Sequence, residues 1–173
     1  MTPPVDAAAL RSLQAPLKER YRERPDDAVI TLRAGGALGD GITCSVDTGR
    51  ALAIAGLHPA TGGDGTALCS GDMLLEALVA CAGVTLNAVA AALGIELRDA
   101  RVTAQGDLDV RGTLGVDRDA PVGFRDIRLT IVADTDADAD QLATLLKLTE
   151  RYCVVYQTIA SGTPVSASLN CGP

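Results

Sequence analysis

Five cysteines, Cys44, Cys69, Cys81, Cys153 and Cys171, hold the most evident capacity for chemistry in this 173-residue chain. Their number is odd, and the N-terminal MTPPVDAAALRSLQ has no basic segment leading into an apolar stretch. The expectation is therefore a cytoplasmic protein whose thiols are reduced or redox-active rather than tied into a disulfide framework. No CxxC occurs and His58 is the only histidine, so the usual zinc spacings are absent and no metal is expected. Taken singly, the cysteines read modestly. Cys44 alternates within a strand pattern and reads as packing, Cys171 lies in the tail, and Cys69 and His58 belong to a loop. Cys81 falls inside the longest apolar run, where a lone cysteine reads first as a small core residue.

The element that must position Cys81 is that run, Gly71 to Gly94, GDMLLEALVACAGVTLNAVAAALG. Its apolar residues cover most of a helical circumference, which predicts a buried helix, with Ser70 or Asp72 able to cap the start and Gly94 suited to the end. A membrane span is disfavoured by Asn87, by Asp72 and Glu76, and by the missing basic anchor before the run. The preceding loop, LHPATGGDGTALCS, is long and glycine-rich, as functional loops often are. Its GGDG has neither the Lys-Ser/Thr of a P-loop nor a GxGxxG, so it does not read as a nucleotide site.

The element before Cys153 is a second helix. Asp138 with Gln141 forms a capping-box start, and Leu142, Leu145, Leu146 and Thr149 share one face. Around these helices the sequence reads as hairpins. Ala28 to Arg33 and Ile42 to Val46 alternate across a turn, ALAIAG adds a third strand to make an antiparallel meander, and Glu96 to Val110 pairs with the strand carrying Ile127, Leu129, Ile131 and Ala133. Pro164 to Leu169 reads as a last strand. Residues 1–27 form an N-terminal helical arm with Leu10, Leu13, Leu17 and Tyr21 on one face, which Pro16 should kink or divide. Residues 28–173 form a single α+β domain.

A net charge of −7 and a pI near 4.6 argue against nucleic acid and anionic membrane as partners. One Phe, three Tyr and no Trp leave an aliphatic core.

With both helices placed, ALVACAGVTL followed by LTERYCVVYQTI, its cysteine 72 residues after the first, resembles the OsmC/Ohr family of osmotically induced and organic-hydroperoxide-resistance proteins, in its OsmC-like branch. The resemblance spans Ala28 to Leu169. It implies an interlocked homodimer with antiparallel sheets wrapped round central helices and active sites at the subunit interface. It also implies a thiol-dependent peroxidase that reduces organic hydroperoxides. Cys81 would be the peroxidatic thiolate and Cys153 the resolving thiol, with no organic cofactor or metal and a dithiol or lipoyl-type reductant. The family's peroxidases hold the thiolate with an Arg and that Arg with a Glu. Asp72, nine residues before Cys81, stands close to the position of the acid; the glycine-rich loop has no Arg, and Arg50 and Arg151 are the nearest candidates. The alternative that this leaves open is a non-enzymatic protein of the same fold that binds a small apolar ligand or responds to redox state.

Overall fold

The structure, a computed structural model, describes residues 7–38, 44–46, 55–66 and 68–169. The predicted long helix is present as α2 (Ser70–Leu93). It ends where Gly94 turns left-handed, at φ 68°, and returns its N–H to the last carbonyls, a conformation that favours glycine. Its start differs from expectation: Cys69 occupies the cap position without a side-chain bond, and both Ser70 and Asp72 lie inside the first turn. Leu75, Leu78, Val79, Ala82, Leu86, Val89 and Ala90 are buried along it.

What covers that face is a four-stranded antiparallel sheet made from two hairpins. Strands β1 (Val29–Leu38) and β2 (Cys44–Val46) form the first, and β5 (Asp99–Asp109) and β6 (Phe124–Asp134) the second, in the order β2-β1-β5-β6. The hairpins join where Val29 pairs with Asp109 and Ala37 with Arg101. Alternation sorts the two faces. Ala100, Val102 and Ala104 of β5 point inward with Ile127, Leu129 and Ile131 of β6, against the α2 core. The outer face is polar, with Asp107 accepting from Arg128 at 2.7 Å and from Thr31 at 2.6 Å, which brings its carboxyl down to about 2.

The third strand departs from the expected meander. Its described part, β3 (Ala55–Gly56), pairs in parallel with β4 (Leu68–Cys69) in a separate two-stranded sheet. That small ladder closes the glycine-rich loop at its base. Within the loop, a single 3-10 turn spans Pro59–Thr61, and His58 Nδ1 accepts from the Ala60 amide at 3.0 Å, so the histidine is used to hold the loop.

The N-terminal helix α1 (Ala7–Glu23) runs through Pro16 without a break. Proline removes one intrahelical bond, and tertiary anchoring at the other end offsets it. Tyr21 is fully buried with Ala28, Val110 and Leu114, and its hydroxyl donates to the Ala60 carbonyl at 2.8 Å. After β5, a short helix, α3 (Val110–Thr113), is capped by Asp109, which is 2% exposed and ion-paired with Arg111 at 2.5 Å.

Helix α4 (Ala139–Tyr152) starts at the predicted capping box, with Asp138 accepting from the Gln141 amide at 2.8 Å and Gln141 returning to the Asp138 amide at 2.9 Å. Of its apolar face only Leu145 and Thr149 are buried, while Leu142 and Leu146 are 40% and 47% exposed. The following apolar segment is a helix, α5 (Val154–Ala160). Residues 164–169 form no strand and are exposed throughout. A strand requires a ladder partner, and no described strand of this chain lies beside them.

Candidate functional site

Cys81 stands midway along α2, half-buried, and Cys153 is fully buried at the junction of α4 and α5. The junction is built locally. Thr149 and Leu145 are tied at 2.8 Å, the Cys153 amide donates to the Thr149 carbonyl at 2.9 Å to end α4, and the Cys153 sulfur then accepts from the Tyr156 amide at 3.4 Å to begin α5. One cysteine thus terminates one helix and caps the next. Because α2 packs against both α4 and α5, the junction lies beside Cys81, and the two cysteines belong to one apolar cluster, with Cys153 buried in it and Cys81 packed against it. Cys69, Cys81 and Cys153 are free thiols.

The two sulfurs are held in opposite states. At Cys81, burial alone would raise the thiol pKa. The backbone N–H of Val155, the Cys153 thiol, the N–H of Val154 and the Thr85 hydroxyl outweigh it, and the net shift is downward. At Cys153, burial is the largest effect and pushes the pKa up to about 11; the Tyr156 amide opposes it, and the neighbouring Cys81 sulfur adds to it. The two thiols are therefore shifted in opposite directions, Cys81 towards the thiolate and Cys153 towards the protonated thiol.

Neither Asp72 nor Arg151 is among the groups that shift the Cys81 thiol. Asp72 is nine residues before Cys81 on a continuous helix, about 13 Å along its axis at 1.5 Å per residue. It acts on Glu76 one turn away, whose carboxyl is raised first by burial and then by the Asp72 charge. Arg151 is exposed, with its guanidinium over the Tyr152 ring at 5.6 Å. Arg50 lies outside the described residues. Among the described residues, the groups that favour a Cys81 thiolate are two amides, a hydroxyl and a thiol. The amides of Val154 and Val155 have no signature in sequence because any residue supplies them. Thr85 had one, the i,i+4 spacing from Cys81 that puts both on one helical face.

Beside the pair is a cavity of about 770 Å³, walled by Leu74, Leu78, Phe124, Ile127, Leu129 and Ile159. Its polar side carries Glu150 and Tyr156, whose phenol is raised first by burial and then by the Glu150 charge. Neither cysteine lines it. α2 is the one described helix long and apolar enough to cross a membrane; here its buried face is taken up by the sheet, α4 and α5.

A model described as OsmC-like protein matches residues 63–168, which include both cysteines. Two solved structures share the fold. One is an OsmC-like hydroperoxide resistance protein from Jannaschia sp. CCS1, at 16% sequence identity and a TM-score of 0.62, covering 84% of this chain and 95% of that one. The other is an OsmC like protein from Mycoplasma pneumoniae, at 15% identity and a TM-score of 0.54, covering 76% of this chain and 85% of that one. No curated protein matches the sequence.

Proposed function

The chain belongs to the OsmC-like protein family, and from that premise we propose that it is a thiol-dependent peroxidase that reduces organic hydroperoxides through Cys81 and Cys153. The observation that carries this reading is the packing of the α4–α5 junction on α2, which gathers Cys81 and Cys153 in one cluster with Cys81 shifted towards the thiolate. The attacking sulfur must be a thiolate, and a second thiol nearby traps the sulfenic acid it becomes. In the first step the Cys81 thiolate attacks the terminal peroxide oxygen: an S–O bond forms, the O–O bond breaks, sulfur loses two electrons, and the departing alkoxide takes a proton from water. In the second, Cys153 attacks the sulfenic sulfur, its proton leaves with the hydroxide as water, and a disulfide closes. An external dithiol, of lipoyl or small-thiol type, returns both thiols. The hydroperoxide-resistance description of the Jannaschia protein supports the same substrate class here. Asp72 is given no step.

The active protein in this proposal is a cytoplasmic homodimer. Supporting it, Leu142, Leu146, Tyr152 and Val154 expose 40%, 47%, 58% and 71% of their surface along α4 and α5, and Val165 and Leu169 are 93% and 92% exposed in the irregular segment after them. Exposed large apolar side chains are what a second copy covers. Sedimentation at micromolar concentration is expected to give twice the chain mass, and a stable monomer would rule the dimer out.

A second reading is favoured by the 770 Å³ cavity that neither sulfur lines: a non-enzymatic binder of a small apolar ligand, or a redox-responsive protein. Consumption of alkyl hydroperoxides and of hydrogen peroxide by the purified protein, with a dithiol present, separates the two. Turnover of the alkyl substrates is expected; none with any peroxide would leave the binder.

A further inference from the structure

Helix α5 does two things at once. Its cap is Cys153, whose sulfur accepts from the Tyr156 amide at 3.4 Å. Its residues Tyr156, Ile159 and Ala160 form one wall of the 770 Å³ cavity, to which α2 contributes Leu74 and Leu78. We propose that this cavity binds an apolar molecule ending in a hydrogen-bond donor without negative charge, and that the bound molecule locks α5 in place and so keeps Cys153 covered. This deepens the ligand-binding reading of the cavity and does not depend on peroxide turnover.

The walls set the body of the ligand. Leu74, Leu78, Ile127, Leu129 and Ile159 are aliphatic, and the volume falls within the range of about 300–1,000 Å³ usual for small-molecule sites. The polar residues set its end. Arg125 and Asp126 both line the cavity, and each has a charged neighbour already: Arg125 stands 3.9 Å from the Asp109 carboxylate, and Asp126 is paired with Arg128. Glu150 is different. Among the described residues its half-buried carboxylate has one hydrogen-bond partner, the Tyr156 hydroxyl, at a long 3.4 Å. A carboxylate so weakly satisfied accepts readily from a hydroxyl or an ammonium group and repels another carboxylate.

The link to Cys153 follows from the packing of α5. The helix has seven residues, none of them buried, and Val154 at its start is 71% exposed. A short helix packed so shallowly opens at low cost. Cys153 itself is wholly buried, so a reagent meets its sulfur only when α5 lifts away from α2. The same motion takes Tyr156, Ile159 and Ala160 out of the cavity wall. A molecule in the cavity therefore binds the closed state alone, and it favours that state by one plus the ratio of its concentration to its dissociation constant.

The test uses 1-octanol as the probe and octanoate as its anionic counterpart, with dissociation constants measured by calorimetry on the reduced full-length protein. Labelling of Cys153 by iodoacetamide is followed at its peptide by mass spectrometry. Octanol is expected to bind about tenfold or more tightly than octanoate. At ten times its dissociation constant it is expected to slow Cys153 labelling about elevenfold. Leu74→Trp, which fills the cavity from α2 at a side chain 39% exposed, is expected to abolish both binding and protection. Ile127→Trp makes the same obstruction from β6 and serves if the Leu74 variant does not fold. Octanol that binds without slowing Cys153 would overturn the link and leave the ligand site standing, whereas octanol that does not bind would overturn both. Octanoate bound as tightly as octanol would overturn the class of ligand. Protection undiminished in a folded tryptophan variant would put the binding outside the cavity and overturn the proposal.

Discussion

Cys81→Ser protein is expected to consume no organic hydroperoxide, whereas Cys153→Ser protein is expected to react once per chain and stop. The reason is that the surroundings shift the two thiols in opposite directions. Cys81 gathers the donors, namely the Val155 and Val154 amides, the Thr85 hydroxyl and the Cys153 thiol, and its thiolate is favoured despite burial. Cys153 has its pKa pushed up to about 11 and is wholly buried, so at neutral pH it offers almost no nucleophile and no access. Removing Cys81 removes the electrons that break the O–O bond. Removing Cys153 removes only the trap, leaving Cys81 as a sulfenic acid that accumulates or over-oxidises. It also removes one of the donors to Cys81, so the first attack should be slower than in the parent. A dimedone-type reagent, with the adduct located by mass spectrometry, reads this out. Label on Cys153 in the Cys81→Ser protein, with peroxide consumed at the parental rate, would reverse the assignment.

The largest expected effect on stability is at Leu75. It is fully buried on α2 within the main core, and cutting it to alanine loses its transfer energy and leaves a hole that a packed helix–sheet interface closes poorly. The expected cost is about 2–5 kcal/mol, a large part of the roughly 5–15 kcal/mol that holds a typical domain together. The comparison is Val132→Ala on the outer face of β6, where the side chain is 66% exposed and the change should stay within about 0.5 kcal/mol. Urea midpoints at constant m-value measure both. Equal midpoints for the two variants would mean that α2 does not pack on the sheet as described. Since α2 also carries Cys81, the Leu75 variant should lose peroxide turnover on mild heating before the parent does.

The parts of this protein legible in sequence are those whose cause lies within a few residues. The apolar run with a terminal glycine specifies α2 and its end at Gly94, because burial all round and a left-handed stop are local demands. Asp138 and Gln141 specify the start of α4 because the two side chains satisfy each other's amides. The alternation of β5 and β6 specifies their hairpin and inward face. The family, too, is readable from two short cysteine motifs.

Tertiary structure alone decided the rest, and the reason in each case is a partner distant in sequence. The β3 strand pairs in parallel with β4 because the loop returns beside it, a choice that its own alternation does not encode. Residues 164–169 have the strand pattern but form no strand, since pattern supplies a face and not a ladder. VVYQTIA, rich in β-branched residues, is helical because Val155, Tyr156 and Ile159 pack against the core that α2 carries, with Cys153 capping the start. Above all, the cysteine types and their order were visible in the sequence, but not the surroundings that shift the two thiols in opposite directions. Those surroundings are the amides, hydroxyl and burial that the packing of α2 on α4 and α5 brings to two sulfurs 72 residues apart, and a pKa is a property of such surroundings rather than of residue type.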